Sequence, residues 1–233
     1  MNYSKCQITR EEDKLVAISG MAQRMHQVTN DIYLAGLWRS SLPHNLLWSV
    51  LSSSRASRPI KYRAPSWSWA ALDAHIVPQV HVPQMSLVEV LDCHVTTINN
   101  NPFSQVIDGY IRLSGRLYPA VLNRDAHGWY STTFFDARLN NTNISILGPH
   151  TMLDIVPETQ SVDVYYLPVA IRDIEAPGVP RQAYLLILRR VTTSEQVVFT
   201  RLGTLFTSYK EVIDMFKSLR DNDDPKAEVI NII

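Results

Sequence analysis

The segment from Tyr33 to Asp73 constrains this chain more than any other, because it holds four of the five tryptophans: Trp38, Trp48, Trp67 and Trp69. A buried indole removes about 150–250 Å² from water and has a fixed shape, so four of them in one early segment call for a shared core. Pro65 biases Ala64 toward an extended backbone. If a strand-like path continues, Trp67 and Trp69 share one face and Ser66 and Ser68 take the other. Trp38 and Trp48 are expected to meet them from neighbouring helices. The segment is therefore read as a structural hub or possible interface built from Trp38, Trp48, Tyr62, Arg63, Pro65, Trp67 and Trp69. The competing reading of the same residues is an aromatic cleft for a ligand or peptide, with Arg39, Lys61 and Arg63 on its rim, since guanidinium and ammonium groups stack on indole. An exposed aromatic patch of that size marks an interface.

On either side of the hub the hydrophobic period changes. Thr9 and Glu12 are spaced as a capping box. Leu15, Ile18, Ala22 and Met25 then recur at helical spacing, which predicts a helix ending near Val28. A second helix is expected over Leu42 to Leu51, with Pro43 in its first turn and Leu46, Leu47 and Val50 inward. Ser52 to Arg58 reads as a loop. From about Ser86 the period is two. Strands are predicted over Leu87 to Thr96, Gly109 to Ala120, Trp129 to Phe135, Ile144 to Leu147, Val162 to Val169, Ala183 to Val191 and Val197 to Leu205. The Tyr184 to Leu188 run is apolar at every position, so it belongs in the middle of a sheet. Ser208 and Glu211 open a late helix with Val212, Met215, Phe216 and Leu219 inward, closed by the Asp221 to Pro225 turn. Glu228 to Ile233 returns as a strand.

These elements predict an α+β fold: an N-terminal helical subdomain packed on a mainly antiparallel β-sheet or sandwich, with one late helix. The expected division is residues 1–75, helical segment and tryptophan-rich hub, and residues 76–233, a β-rich region with a helix near 208–220. At 233 residues the chain can bury a substantial core as one large domain or two smaller ones.

Charge and motif content narrow the function classes. Lys plus Arg number 22 and Asp plus Glu number 22, so there is no basic excess to hold a nucleic-acid backbone. No apolar run approaches a membrane span and the first residues lack an apolar signal region, so a cytoplasmic location is expected. Cys6 and Cys93 are too few for a disulfide framework and read as buried or idle thiols. Phosphate-loop, nucleophile-elbow and zinc-helix motifs are all missing. His75 and His81 have no favoured ligand spacing, and adjacent Cys93 and His94 point to opposite faces of a strand. No catalytic, cofactor-binding or metal-binding residue is nominated, and no cofactor is expected.

Three motifs in the tryptophan segment resemble fungal heterokaryon-incompatibility (HET) proteins downstream of the HET domain: Tyr33-Leu34-Ala35-Gly36-Leu37-Trp38, Leu42-Pro43 with Leu46-Leu47-Trp48, and Tyr62-Arg63-Ala64-Pro65-Ser66-Trp67-Ser68-Trp69-Ala70. Tyr3-Ser4-x-Cys6 with Asp13 to Gly20, Asp108 to Leu117, and Arg201-Leu202-Gly203 are similar to further pieces of that family. The family often has a glycine after the aspartate, where this chain has Ala74 after Asp73. The blocks that mark the HET domain itself do not occur in the sequence. The resemblance thus implies the C-terminal part of a HET protein: a non-enzymatic scaffold or regulatory module in vegetative incompatibility and self/non-self recognition, with a HET domain supplied in trans, or another protein, as its partner. The alternatives are an enzyme of nucleotide or dinucleotide hydrolysis within a TIR-like HET system, and a degraded, truncated gene product without activity.

Overall fold

The computed structural model describes residues 3–5, 10–79, 85–134, 151–173, 181–193, 196–221 and 227–233, with no account of the side chains of residues 5 and 218–221. Over these residues the fold is α+β, with an N-terminal helix, a large and mostly antiparallel sheet, and one late helix. The helix α1 covers Ser19–Thr29 and the helix α2 covers Lys210–Asp221. Two short strand pairs serve the tryptophan segment and its surroundings, β1 (Tyr33–Leu34) with β2 (Leu37–Trp38) and β3 (Ser49–Val50) with β4 (Ile76–Val77), and a further short strand, β5 (Met85–Ser86), joins the main sheet. The main sheet contains β6 (Glu89–Thr97), β7 (Val106–Gly115), β8 (Tyr118–Arg124), β9 (Tyr130–Phe134), β10 (Thr151–Leu153), β11 (Ser161–Arg172), β12 (Gln182–Thr192), β13 (Val197–Thr207) and β14 (Glu228–Ile232).

The strand order is β6-β7-β14-β13-β12-β11-β8-β9, with β10 added on β13 and β5 on β11. Every pairing is antiparallel except β13 with β14, which α2 connects. The uniformly apolar run of β12 lies in the middle, as its pattern predicts. Tyr184, Leu186 and Leu188 enter the core on one face, and Ala183, Leu185 and Ile187 enter the core on the other. On the first face the sheet is covered by the N-terminal third, through Leu15, Leu34, Leu46 and Trp67 among others. On the second face lie Val212, Ile213 and Phe216 of α2. β11 carries Pro168 at a register shift against β12. A proline is tolerated there because a bulge relieves the ladder of the missing donor.

Several local expectations change. The Gly109 to Ala120 strand is two strands, β7 and β8, broken at Arg116 and Leu117. The Leu42 to Leu51 helix is instead a 3₁₀ turn over His44–Leu47 followed by β3, because Ser49 and Val50 pair with β4. The first helix begins at Ser19 after two 3₁₀ turns, and only its Ala22 is buried, so Met25 faces outward at 50% exposure. Trp67 does not continue a strand; the chain turns there and enters a 3₁₀ turn over Trp69–Ala71. Ala74 has no positive φ, so the turn after Asp73 needs no glycine. Thr9, Cys6, His81, the Ile144 to Leu147 strand and residues 222–226 of the turn after the late helix lie outside the described residues, as does the side chain of Leu219.

Candidate functional site

The tryptophan segment is organised by a two-residue turn between β1 and β2. Ala35 and Gly36 both have positive φ, 45° and 96°, the combination that a tight hairpin of matching twist requires. The turn points two carbonyls at the 3₁₀ turn that follows Trp67. The Ser68 hydroxyl donates to the Ala35 carbonyl at 2.5 Å, and Trp69 Nε1 donates to the Gly36 carbonyl at 2.8 Å. A Cβ on Gly36 would stand 2.6 Å from that indole nitrogen, so contact and backbone conformation both select glycine. Trp48 Nε1 donates to the Trp67 carbonyl at 3.0 Å, and Trp67 itself has no exposed surface. Pro65 lies against Gly109 of β7, where any side chain would meet its ring.

Two buried charge clusters lock the segment in place. In the first, Arg63 donates to the Ala70 and Glu11 carbonyls and pairs with Asp73 at 2.8 Å, while Lys14 pairs with the same carboxylate oxygen at 3.2 Å and also donates to the Leu72 carbonyl. Burial, and secondarily the repulsion of Arg63, holds the Lys14 ammonium below its usual range, with Asp73 opposing the shift. Burial pushes the Asp73 carboxyl up, but hydrogen bonds and charge from Arg63 and Lys14 outweigh it and leave it below the ordinary carboxylate range. In the second cluster Arg201 of β13, wholly buried, gives one guanidinium nitrogen to both oxygens of Asp154 at 2.5 and 2.6 Å. Its other terminal nitrogen donates to the Trp48 carbonyl, and its guanidinium carbon lies 3.3 Å from the centroid of the Trp48 ring. The Arg201 amide donates to the Ser66 hydroxyl at 2.9 Å. Ser66 in turn donates, through amide and hydroxyl, to the Ile233 main-chain oxygen.

Beside these locks the segment leaves a cavity of about 340 Å³. Its walls are Trp48, Trp69, Tyr3, Ile18, Leu37 and Ile76, with Met21 of α1 at the lining and Ser4, Asn45 and Gln79 as polar groups. Tyr3 meets Trp69 edge to face at 6.2 Å. Volume and lining are those of a pocket for an apolar group with a few polar contacts. From Met21 the apolar surface continues along α1: Met21, Met25 and Val28 recur at helical spacing and are 69%, 50% and 69% exposed, and Ile32 follows.

The nominated residues divide among these features. Trp48, Trp67 and Trp69 come together, and Arg63 and Pro65 are buried with them. Trp38 stands apart, packed at 5.2 Å on Tyr33, which stacks on Phe103. Tyr62 is half exposed and borders a different hollow. The expected cationic rim does not form: Arg63 is turned inward onto Asp73, Arg39 donates to the Cys93 sulfur at 2.6 Å, and Lys61 does not line the cavity. Arg201 was not nominated as a site residue, nor was Asp154. The signal for Arg201 is an arginine in the same alternation phase as Phe199 and Leu205 on a strand with no other charged residue. Among the described residues, no group of three or more His, Cys, Asp or Glu is close enough to hold a metal ion, and no helix is long and apolar enough to cross a membrane. The chain matches no protein-family model, no curated protein and no solved structure.

Proposed function

We propose that this chain is a non-enzymatic scaffold or regulatory module that holds a partner polypeptide on α1 and in the aromatic cavity next to it. The observation that carries this reading is the continuity of the two surfaces, since Met21 belongs both to the cavity lining and to the exposed stripe of α1. Methionine suits such a surface because its unbranched thioether adapts to the shape it meets. A helix whose buried side is a single alanine contributes little to its own domain's core and is free to contribute to another's. The setting implied by the resemblance is self/non-self recognition in fungal heterokaryon incompatibility, with a HET-type domain supplied in trans as the partner and the cytoplasm as the compartment.

Size-exclusion chromatography with light scattering, with and without a HET domain from a family member, tests the proposal. A complex is expected with that domain, and concentration-dependent self-association without it. Met21→Gln with Val28→Gln should abolish both while leaving the denaturation midpoint within experimental scatter. A clean monomer at high concentration that ignores the supplied domain refutes the reading. Dinucleotide turnover by the purified chain that a single histidine or glutamate substitution removes would instead make it an enzyme.

A further inference from the structure

We infer that the groove between the 52–62 loop and the central strands is a binding site for a small oxyanion-bearing molecule, a phosphate ester or a carboxylate, gripped between Arg58 and Arg189. Two adjoining hollows of about 530 and 350 Å³ both take Arg58, Arg189 and Leu202 as walls. Leu202 supplies an apolar wall, Tyr62 stands at the edge of the smaller hollow and Pro157 at the edge of the larger. Burial disfavours the Arg58 charge most; the attraction of Asp154 opposes this, and the repulsion of Arg189 adds a smaller contribution in the same direction as burial. An anion seated between two guanidiniums on one wall offsets their mutual repulsion.

The carboxylates that share these walls, Glu158 and Asp154 in the larger hollow and Asp108 in the smaller, do not pair with the two arginines. Neither arginine has a carboxylate within ion-pair distance among the described residues. Both oxygens of Asp154 are already engaged by Arg201, which leaves Arg58 only its long-range attraction. Asp108 accepts from the Gly109 amide. Among the described residues Arg58 makes one hydrogen bond, a long one of 3.4 Å from Nη2 to the Arg201 carbonyl, which leaves most of its donors to meet a ligand.

Both cations also stand on fixed backbone. The loop is tied next to Arg58 by reciprocal hydrogen bonds between Ser57 and Asp73, at 3.2 and 2.8 Å. Arg189 is paired with Thr200 in the sheet. Paired guanidiniums held this way match the oxygens of a phosphate or carboxylate through parallel N–H donors. The hollows on either side have the volume of a small organic body. The site is distinct from the aromatic cavity and does not depend on the partner proposed for it.

Isothermal titration calorimetry with inorganic pyrophosphate and, separately, with citrate tests the assignment and tells phosphate from carboxylate chemistry. The wild-type chain should bind at least one of them saturably, with affinity that falls as chloride is raised. Arg58→Gln and Arg189→Gln should each weaken that binding by about tenfold or more. Arg190→Gln, which removes the neighbouring charge on the other side of β12, should leave it unchanged. Arg189→Gln keeps the test open if Arg58→Gln fails to fold, because the Arg189 side chain is exposed. Absence of saturable binding to either anion, or equal weakening by Arg190→Gln, overturns the assignment.

Discussion

The two faces of the sheet are covered in opposite ways. Under α2 the core is mostly apolar, with Tyr118, Leu185, Ile187, Leu205, Ile213 and Phe216 together, one buried hydroxyl pair, Thr132 with Tyr166 at 2.6 Å, and one buried guanidinium, that of Arg116 over the Tyr118 ring. Under the tryptophan segment the core is threaded with buried charge: Lys14, Arg63, Asp154 and Arg201. Apolar burial is non-directional and accepts many arrangements of similar volume. Buried charge accepts only the arrangement that satisfies it. The α2 face therefore supplies bulk stability. The tryptophan face fixes one geometry, and it is there that the cavity and the exposed helix stripe are found.

Substitutions that strike this contrast most directly have the largest expected effects. Asp154→Ala leaves the Arg201 guanidinium buried without its counterion and should destabilise by about 3–5 kcal/mol. Asp154→Leu combined with Arg201→Met should recover most of that loss, since replacing both members of a buried pair is often neutral. Equal destabilisation of the single and double variants in urea denaturation would mean that the pair acts through something other than uncompensated charge. Trp67→Ala removes an indole with no exposed surface and should also lose about 3–5 kcal/mol. An unchanged midpoint there would remove the hub from the core altogether.

Gly36→Ala should lose about 1–3 kcal/mol from strained backbone, together with the displaced Trp69 indole, and tryptophan fluorescence should shift with it. On the other face, Ile213→Leu should change stability by less than about 1.5 kcal/mol, because volume is preserved and no direction is demanded. A larger loss would show that the α2 face is as particular as the tryptophan face.

The smallest effect is one of pH. Asp73 titrates below its unfolded value, so its contribution is fully present above the ordinary carboxylate range and is lost as pH falls through the depressed folded value. Asp73→Asn should therefore narrow the stability difference between neutral and acid conditions. Water screens this partly exposed group, and the change should be modest. A pH profile identical to that of the unsubstituted chain would mean that the Arg63 and Lys14 contacts contribute nothing.

The same contrast explains what was legible in the sequence. β12, β13, α2 and the closing strand are governed by hydrophobic period, and each lies where its period puts it. The tryptophan segment is governed by side chain to backbone hydrogen bonds, such as Ser68 to Ala35 and Trp48 to Trp67, which leave no periodic trace. A helix was expected over Leu42 to Leu51 because apolar residues there recur at helical spacing. β4 provided a pairing partner that a local pattern could not reveal. Asp154 is invisible for the same reason: its partner Arg201 is far along the chain, and Asp154 itself stands in no motif.

The position of β14 between β7 and β13 also sets an order of events. Ile230 pairs with Leu113 and Ile232 lies beside Phe199, so one late segment joins two parts of the sheet made much earlier. Until residues 228–232 have left the ribosome, the β6–β7 hairpin and the block that runs from β13 to β9 have no hydrogen-bonded seam between them. Closure waits on contacts of long sequence separation, the kind that form slowly. The exposed edges of β7 and β13 are meanwhile open to pairing with other chains. The nascent protein is thus most vulnerable to aggregation in the interval before its final strand arrives.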